Sequence, residues 1–436
     1  MNNARRVVIT GLGAISPFGN TFEALWEGLS NGRSAVGPLA NVPADFLPTK
    51  FAAEAHAFSG SIDDFGPLEG EKKKAMRKGL KVMCRESQMG VAAAQRALAN
   101  AAIAEGANDP ERTGVVFGSD YMMTLPDDFS AGIARCIDAE GNFDFSRWAS
   151  DGMPQLTPLW LLKYLPNMPA SHVAIYNDLR GPNNSITLRE ASANCAVGEA
   201  FRTIVRGGAE VMIAGATGTR VHPMKMVHSL TQEEVAGNGV DPARASRPFD
   251  LNRSGMVLGE GAGAVVLEEL EFARARGAKI YAEVVGTASS SVAGANGVAR
   301  REVALANVMS AALRDANCQP EDVGHIHAHA LSTRSCDEAE AEAIQQVFGQ
   351  RAASVPVTAA KSYFGNLGAG GGLIELIASI LALGHSRLFP VLNYDTPDPK
   401  CALNVCRESQ APGSSCLNVN VTPQGQASAL MVKAWS

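Results

Sequence analysis

The chain is short of the features that mark many specialised proteins. Charged residues fill 19% of its 436 positions, aromatics 6%, and the formal net charge is only −6. A general nucleic-acid binder needs a strong basic excess, which is missing here. The eight cysteines include no CxxC pair. Residues Met1 to Arg6 run straight into a strand with no charged-then-apolar leader, so the cysteines read as reduced thiols rather than a disulfide frame. No apolar run approaches the roughly 20 residues that span a bilayer. These absences together suggest a cytoplasmic globular protein.

What is plentiful is apolar material, 46% of the chain, and glycine, at 43 positions. That suffices for one large core or for two fused cores of about 200 residues each. The run Arg6 to Gly13 (RVVITGLG) suits a buried strand ending in a tight turn. Its GxG is an incomplete dinucleotide fingerprint and carries little weight. A stronger pattern occurs twice. Val91 to Ala104 reads as an amphipathic helix, followed by a loop and the strand Thr113 to Gly118. Leu305 to Ala316 reads as a second such helix, followed by a loop and the strand Gly324 to His329. Two such units suggest duplicated halves, each with a largely buried sheet. Between them, Glu199 to Arg206 reads as a helix, and Ala209 to Gly215 and Ala264 to Leu267 read as buried strands. The division falls near residue 268, giving halves 1–268 and 269–436, and no linker separates them.

Four blocks carry a family resemblance. Arg247 to Gly286 (RPFDLNRSGMVLGEGAGAVVLEELEFARARGAKIYAEVVG) resembles the central signature of the β-ketoacyl synthases, the 3-oxoacyl-acyl-carrier-protein synthases. RVVITGLGAISPFGN resembles their first strand, Ala328 to Ile344 their AHGTST block and Lys361 to Gly371 their KSxxGHxxGAAG block. The resemblance implies an α/β, thiolase-like fold, with duplicated αβαβα halves in one layered body. It also implies thioester chemistry with a Cys nucleophile, two His and a Lys. The acyl group arrives on the phosphopantetheine arm of an acyl carrier protein, so no resident cofactor and no metal are expected. Homodimers, or heterodimers with an active ketosynthase, are expected too.

Carried over residue by residue, the first histidine matches His329 and the lysine Lys361, while the second histidine falls on Asn366. Gly181 to Ala216 aligns without a gap and puts Glu190 at the nucleophile position. Cys195, in ANCAVG, is the rival. A displacement of five helical residues turns a side chain about 140° and moves it about 7.5 Å, so its thiol is expected away from His329 and Lys361, as a small buried core residue. A carboxylate cannot carry an acyl chain as a thiol does, because the mixed anhydride is too labile to water. His329 and Lys361 are expected to hold Glu190 in an ion pair, with Arg189 pointing elsewhere.

Further positions depart from the family pattern. In the loop that gates the acyl pocket, Pro423, or a neighbour one residue away, replaces a phenylalanine ahead of Gly425, and proline has no N–H to donate to an oxyanion. Of the pantetheine-contacting pair Thr333 is kept and Leu331 is changed. Tyr121, Met122 and Met123 are bulky where acyl-tunnel residues are often small. Lys74, Arg77 and Lys78 lie in a basic helix, read either as a solvated face or as a docking patch for an acidic carrier protein. His325, His327 and His329 alternate on one face without a further ligand set nearby, so zinc is disfavoured. Glu375 stands where the resemblance implies a buried glutamate near the lysine, so a pair with Lys361 is expected. The expected function is a condensation-deficient, chain-length-factor-like subunit of fatty-acid or polyketide synthesis. The alternatives are a malonyl-carrier decarboxylase and an active synthase with an altered nucleophile.

Overall fold

The computed structural model describes residues 5–45, 47–103 and 108–435. The apolar run after Arg6 forms β1 (Val7–Ile15), buried at every residue. A short pair, β2 (Gly37–Pro38) and β3 (Phe51–Ala52), stands apart. The remaining strands are β4 (Thr113–Ser119), β5 (Asn183–Thr187), β6 (Val211–Thr219), β7 (Glu260–Glu269), β8 (Ala282–Ser291), β9 (His325–His327), β10 (Val357–Thr358), β11 (Ser415–Val421) and β12 (Gln426–Ala434).

With β1 these build a ten-stranded sheet ordered β10-β9-β11-β12-β8-β1-β7-β6-β4-β5. The order repeats. In the set β5-β4-β6-β7-β1, the first three strands are mutually parallel and the last two reverse in turn. The set β10-β9-β11-β12-β8 does the same. The two sets meet where β1 and β8 pair antiparallel, Val7 opposite Val284 and Ile9 opposite Ala282. The duplication read from two helix–loop–strand units is therefore present in the topology.

The helices that lead into β4 and β9 are Arg85–Ala101 and Arg301–Asp315. Both begin earlier than their most apolar stretch, and the first ends at Ala101, while Ala104 lies outside the described residues. Arg85–Ala101 packs on β1, β6 and β7, and Arg301–Asp315 on β8, β11 and β12. Between the two sets lie Ser192–Val205 and Gly371–Gly384, which touch each other and both sets. Gly371–Gly384 is buried from Gly371 through Leu383, as expected of a helix apolar on all sides. Gly372 permits the close approach of this pair: a Cβ there would lie 2.8 Å from Ala193 Cβ and 2.4 Å from Asn420 Oδ1. This layering brings the head of one central helix, the loop after β9 and the turn after β10 to one place.

Candidate active site

Ser192–Val205 starts earlier than the stretch Glu199 to Arg206 read from the sequence, and its head carries the site. A tight turn, Arg189–Ala191, precedes it, with Arg189 in the left-handed region at φ 49°. A non-glycine residue holds that conformation only where its surroundings enforce it. Here the turn sends Glu190 into the core, where its side chain is 2% exposed.

A buried carboxylate needs partners. Arg220, directly after β6 and fully buried, donates from Nη2 to Glu190 Oε1. Asn366 Nδ2 donates to the same oxygen at 3.1 Å, and Arg189 Nε lies 3.4 Å from Oε2. The amide of Asn366 is oriented, because its Oδ1 accepts from Gly368 N–H at 2.9 Å. Burial opposes ionisation of Glu190, but Arg220, Arg189 and the Asn366 bond outweigh it and hold the carboxyl far below the usual carboxylate range. Such a carboxylate is a poor base, and its charge is immobile.

The arginines have further partners. Glu233 Oε1 accepts from Arg189 Nη2 at 2.8 Å and lies 3.5 Å from Arg220 Nη1, while Asp120 Oδ2 lies 3.8 Å from Arg220 Nη2. A second pair adjoins: buried Lys225 donates to Glu86 Oε1 at 2.6 Å and sits 5.1 Å over the Tyr121 ring. Tyr121 Oη is in turn 2.5 Å from His228 Nδ1. The bulk expected at Tyr121 and Met122 is accompanied by buried charge.

His329 faces two donors through Nδ1, Lys361 Nζ and Asn420 Nδ2, each at 3.4 Å, so its own proton is on Nε2. Burial and the neighbouring Lys361 keep the imidazole neutral. Lys361 Nζ pairs with Glu375 Oε1, whose Oε2 accepts from Asn420 Nδ2 at 2.7 Å. Asn420 Oδ1 accepts from Asn194 at 3.0 Å, one helical turn beyond Glu190. Two buried chains of polar contacts thus meet at the helix head.

The chain is similar to known proteins along nearly its whole length. The model described as "Beta-ketoacyl synthase, N-terminal domain" matches residues 4–273, and "Beta-ketoacyl synthase, C-terminal domain" matches 281–395. The chain is a β-ketoacyl synthase family member. A curated relative, "3-oxoacyl-[acyl-carrier-protein] synthase 2" of Synechocystis sp., is 33% identical over 409 residues, covering 92% of this chain and 90% of its own. Among solved structures, "The ishigamide ketosynthase/chain length factor" superposes with a TM-score of 0.83 at 26% identity, over 99% of this chain and 100% of that one. A type II polyketide synthase acyl-carrier protein in complex with its ketosynthase bound to the hexaketide superposes at 0.81 and 26% identity, over the whole of both chains.

Against the β-ketoacyl synthase pattern, the structure brings Glu190, His329, Lys361 and Asn366 together. It corrects how Glu190 is held. Lys361 is engaged by Glu375, and Arg220 with Arg189 supplies the positive charge instead. Arg189 therefore points at Glu190, not elsewhere. Arg220, Asp120, Glu233 and Asn420 were not legible as site residues. Cys195 is partly exposed rather than a fully buried core residue. Burial nevertheless pushes its thiol up to about 11, with Ser428 as hydrogen-bonding neighbour, so it is no ready nucleophile.

A pocket of about 220 Å³ is lined by Glu233, Arg301, Leu331, Thr333 and Pro423 among others. Thr333 also caps the helix Arg334–Phe348, accepting from Cys336 N–H at 3.3 Å. Gly425 stands in the β11–β12 turn at φ 79°, its N–H donating to Thr422 O at 3.0 Å. Lys74, Arg77 and Lys78 are exposed on the helix Gly70–Gly79, anchored by buried Met76.

His325 and His327, the other two of the alternating set, are fixed by hydrogen bonds. Ala360 N–H donates to His327 Nε2 at 3.1 Å, so His327 Nδ1–H donates to Ser379 Oγ at 2.8 Å. Ser379 Oγ–H then faces His325 Nε2 at 3.1 Å, and His325 Nδ1–H reaches Pro412 O at 2.8 Å. Among the described residues no group of three or more His, Cys, Asp or Glu is arranged to hold a metal ion, and no helix is long and apolar enough to cross a membrane.

Proposed function

We propose that this chain is a condensation-deficient, chain-length-factor-like subunit that works beside a cysteine-bearing ketosynthase in carrier-protein-dependent fatty-acid or polyketide synthesis. The observation that carries this reading is the Glu190 carboxylate, bound to Arg220 and Asn366 in the nucleophile position. A carboxylate so held neither attacks a thioester nor leaves room for a thiol. Asn366 offers an amide where the condensing chemistry of the family uses a second imidazole, and Pro423 lacks an N–H for an oxyanion.

Malonyl decarboxylation is disfavoured by the same charge. An anion at the helix head opposes both an incoming malonate and the enolate it would become. The solved relatives named for a ketosynthase with a chain length factor and for a carrier-protein complex support a paired, carrier-served assembly. So does the exposed edge strand β5, whose Asn183 and Asn184 are open to solvent.

Reconstitution tests the proposal. The chain is co-expressed with the cysteine-bearing ketosynthase of its source organism, with and without Glu190→Ala. Co-purification as a heterodimer, with elongation only when both chains are present, is the expected result. Elongation by this chain alone would overturn it.

A further inference from the structure

The surroundings of Glu190 constitute a receptor for a carboxylate, whatever chain that carboxylate belongs to. Arg220 is fully buried and aims Nη2 at Oε1, Asn366 adds an oriented amide N–H at 3.1 Å, and Arg189 Nε stands 3.4 Å from the other oxygen. Two guanidinium groups and an amide converging on one carboxylate provide charge and directional donors together.

The remaining carboxylates are poorer partners for Arg220. Glu233 is 3.5 Å from it and is already bonded to Arg189, and Asp120 is 3.8 Å away. Arg220 Nε and Glu190 Oε2 are buried without a hydrogen bond, so removing the Glu190 carboxylate leaves Arg220 without its shortest contact. Glu233, which bonds Arg189, also lines the 220 Å³ pocket.

We propose that Arg220, Arg189 and Asn366 form a small-carboxylate binding site that the native chain fills with its own Glu190, and that the vacated site takes monocarboxylates of acetate size. Changing Glu to Ala removes a CH2–COO⁻ group, which acetate matches atom for atom. The site shares the residues on which the proposed function rests. The two are separable, because this inference is read by binding and the other by turnover and subunit pairing.

The test is acetate binding to full-length Glu190→Ala by calorimetry and thermal unfolding, with acetamide as the neutral isostere. Saturable acetate binding in the millimolar range is expected, with a rise in melting temperature and no response to acetamide. Adding Arg220→Met should weaken binding at least about tenfold, and the native chain should show none. If Glu190→Ala does not hold its fold without acetate, its refolded yield should rise with acetate and not with acetamide. Equal response to both compounds, no acetate response in either readout, or binding unchanged by Arg220→Met would overturn the proposal.

Discussion

Arg220 donates to Glu190 from a position 30 residues downstream, and neither side chain reaches solvent. Such a pair gives little net stability over an apolar isostere, but breaking it by removing one charge is expensive. Arg220→Met should therefore cost about 3–5 kcal/mol in chemical denaturation. Glu190→Gln with Arg220→Gln should cost less than the sum of the single changes, because each then leaves no unpaired charge behind. Additive costs would show that the two side chains are not coupled.

The pH dependence of stability has a definite sign. His325, His327 and His329 are buried, and burial lowers each pKa, that of His325 to about 4. The unfolded chain takes up protons near pH 6.5 that the folded chain refuses, so stability falls as pH drops below about 6.5, by about 1.4 kcal/mol per pH unit for each group. Glu190 acts in the same direction lower down. Its folded pKa is depressed, so its contribution is present above the unfolded value of about 4.3 and is lost as pH falls below it. His325→Gln should flatten the slope between about pH 6.5 and pH 4, as urea midpoints across that range would record. An unchanged slope would mean His325 carries a proton in the folded state.

Cysteine reactivity should follow position. The Cys195 thiol is pushed up to about 11, so iodoacetamide at neutral pH should label it slowly. In Glu190→Cys the new thiol stands beside Arg189 and Arg220, which favour the thiolate, and should label markedly faster. That variant should still fail to elongate, since Asn366 and Pro423 are unchanged. Mass spectrometry after alkylation and a carrier-protein elongation assay read both outcomes.

Much of this was legible in the sequence, and for a physical reason. Helix period, buried strands and glycine turns are local, so the duplicated units could be found from nearby residues, whereas the central helix was readable only from Glu199 to Arg206 and Glu190 was placed at its head by the family resemblance. Lys361 with Glu375 was readable through the family resemblance, which places a buried glutamate near the lysine. Arg220 was not. It reaches Glu190 only because β6 ends beside that helix, and an arginine after a strand carries no local sign of its target. Asn420 lies on a strand more than 200 residues from Asn194 and meets it only through the central layer. Lys361 does not hold Glu190, because Glu375 engages its ammonium group.

The basic helix gives a prediction independent of the buried site. Arg77 and Lys78 are exposed, and Lys74 pairs with Glu71 at 2.7 Å while remaining largely in solvent. If an acidic carrier protein docks there, Lys74→Glu with Lys78→Glu should weaken binding several-fold at low salt and much less at high salt. Titrations at two ionic strengths measure this. Unchanged affinity at low salt would remove the patch from the docking surface.

The most direct measurement is incubation of the purified chain, alone, with malonyl-carrier and acyl-carrier protein, followed by intact-protein mass spectrometry of carrier and chain. A Glu190 carboxylate locked by Arg220 predicts no acyl group on the chain, no acetyl-carrier and no elongated product. Rapid decarboxylation abolished by His329→Ala, or an acyl group found on Cys195, would contradict it.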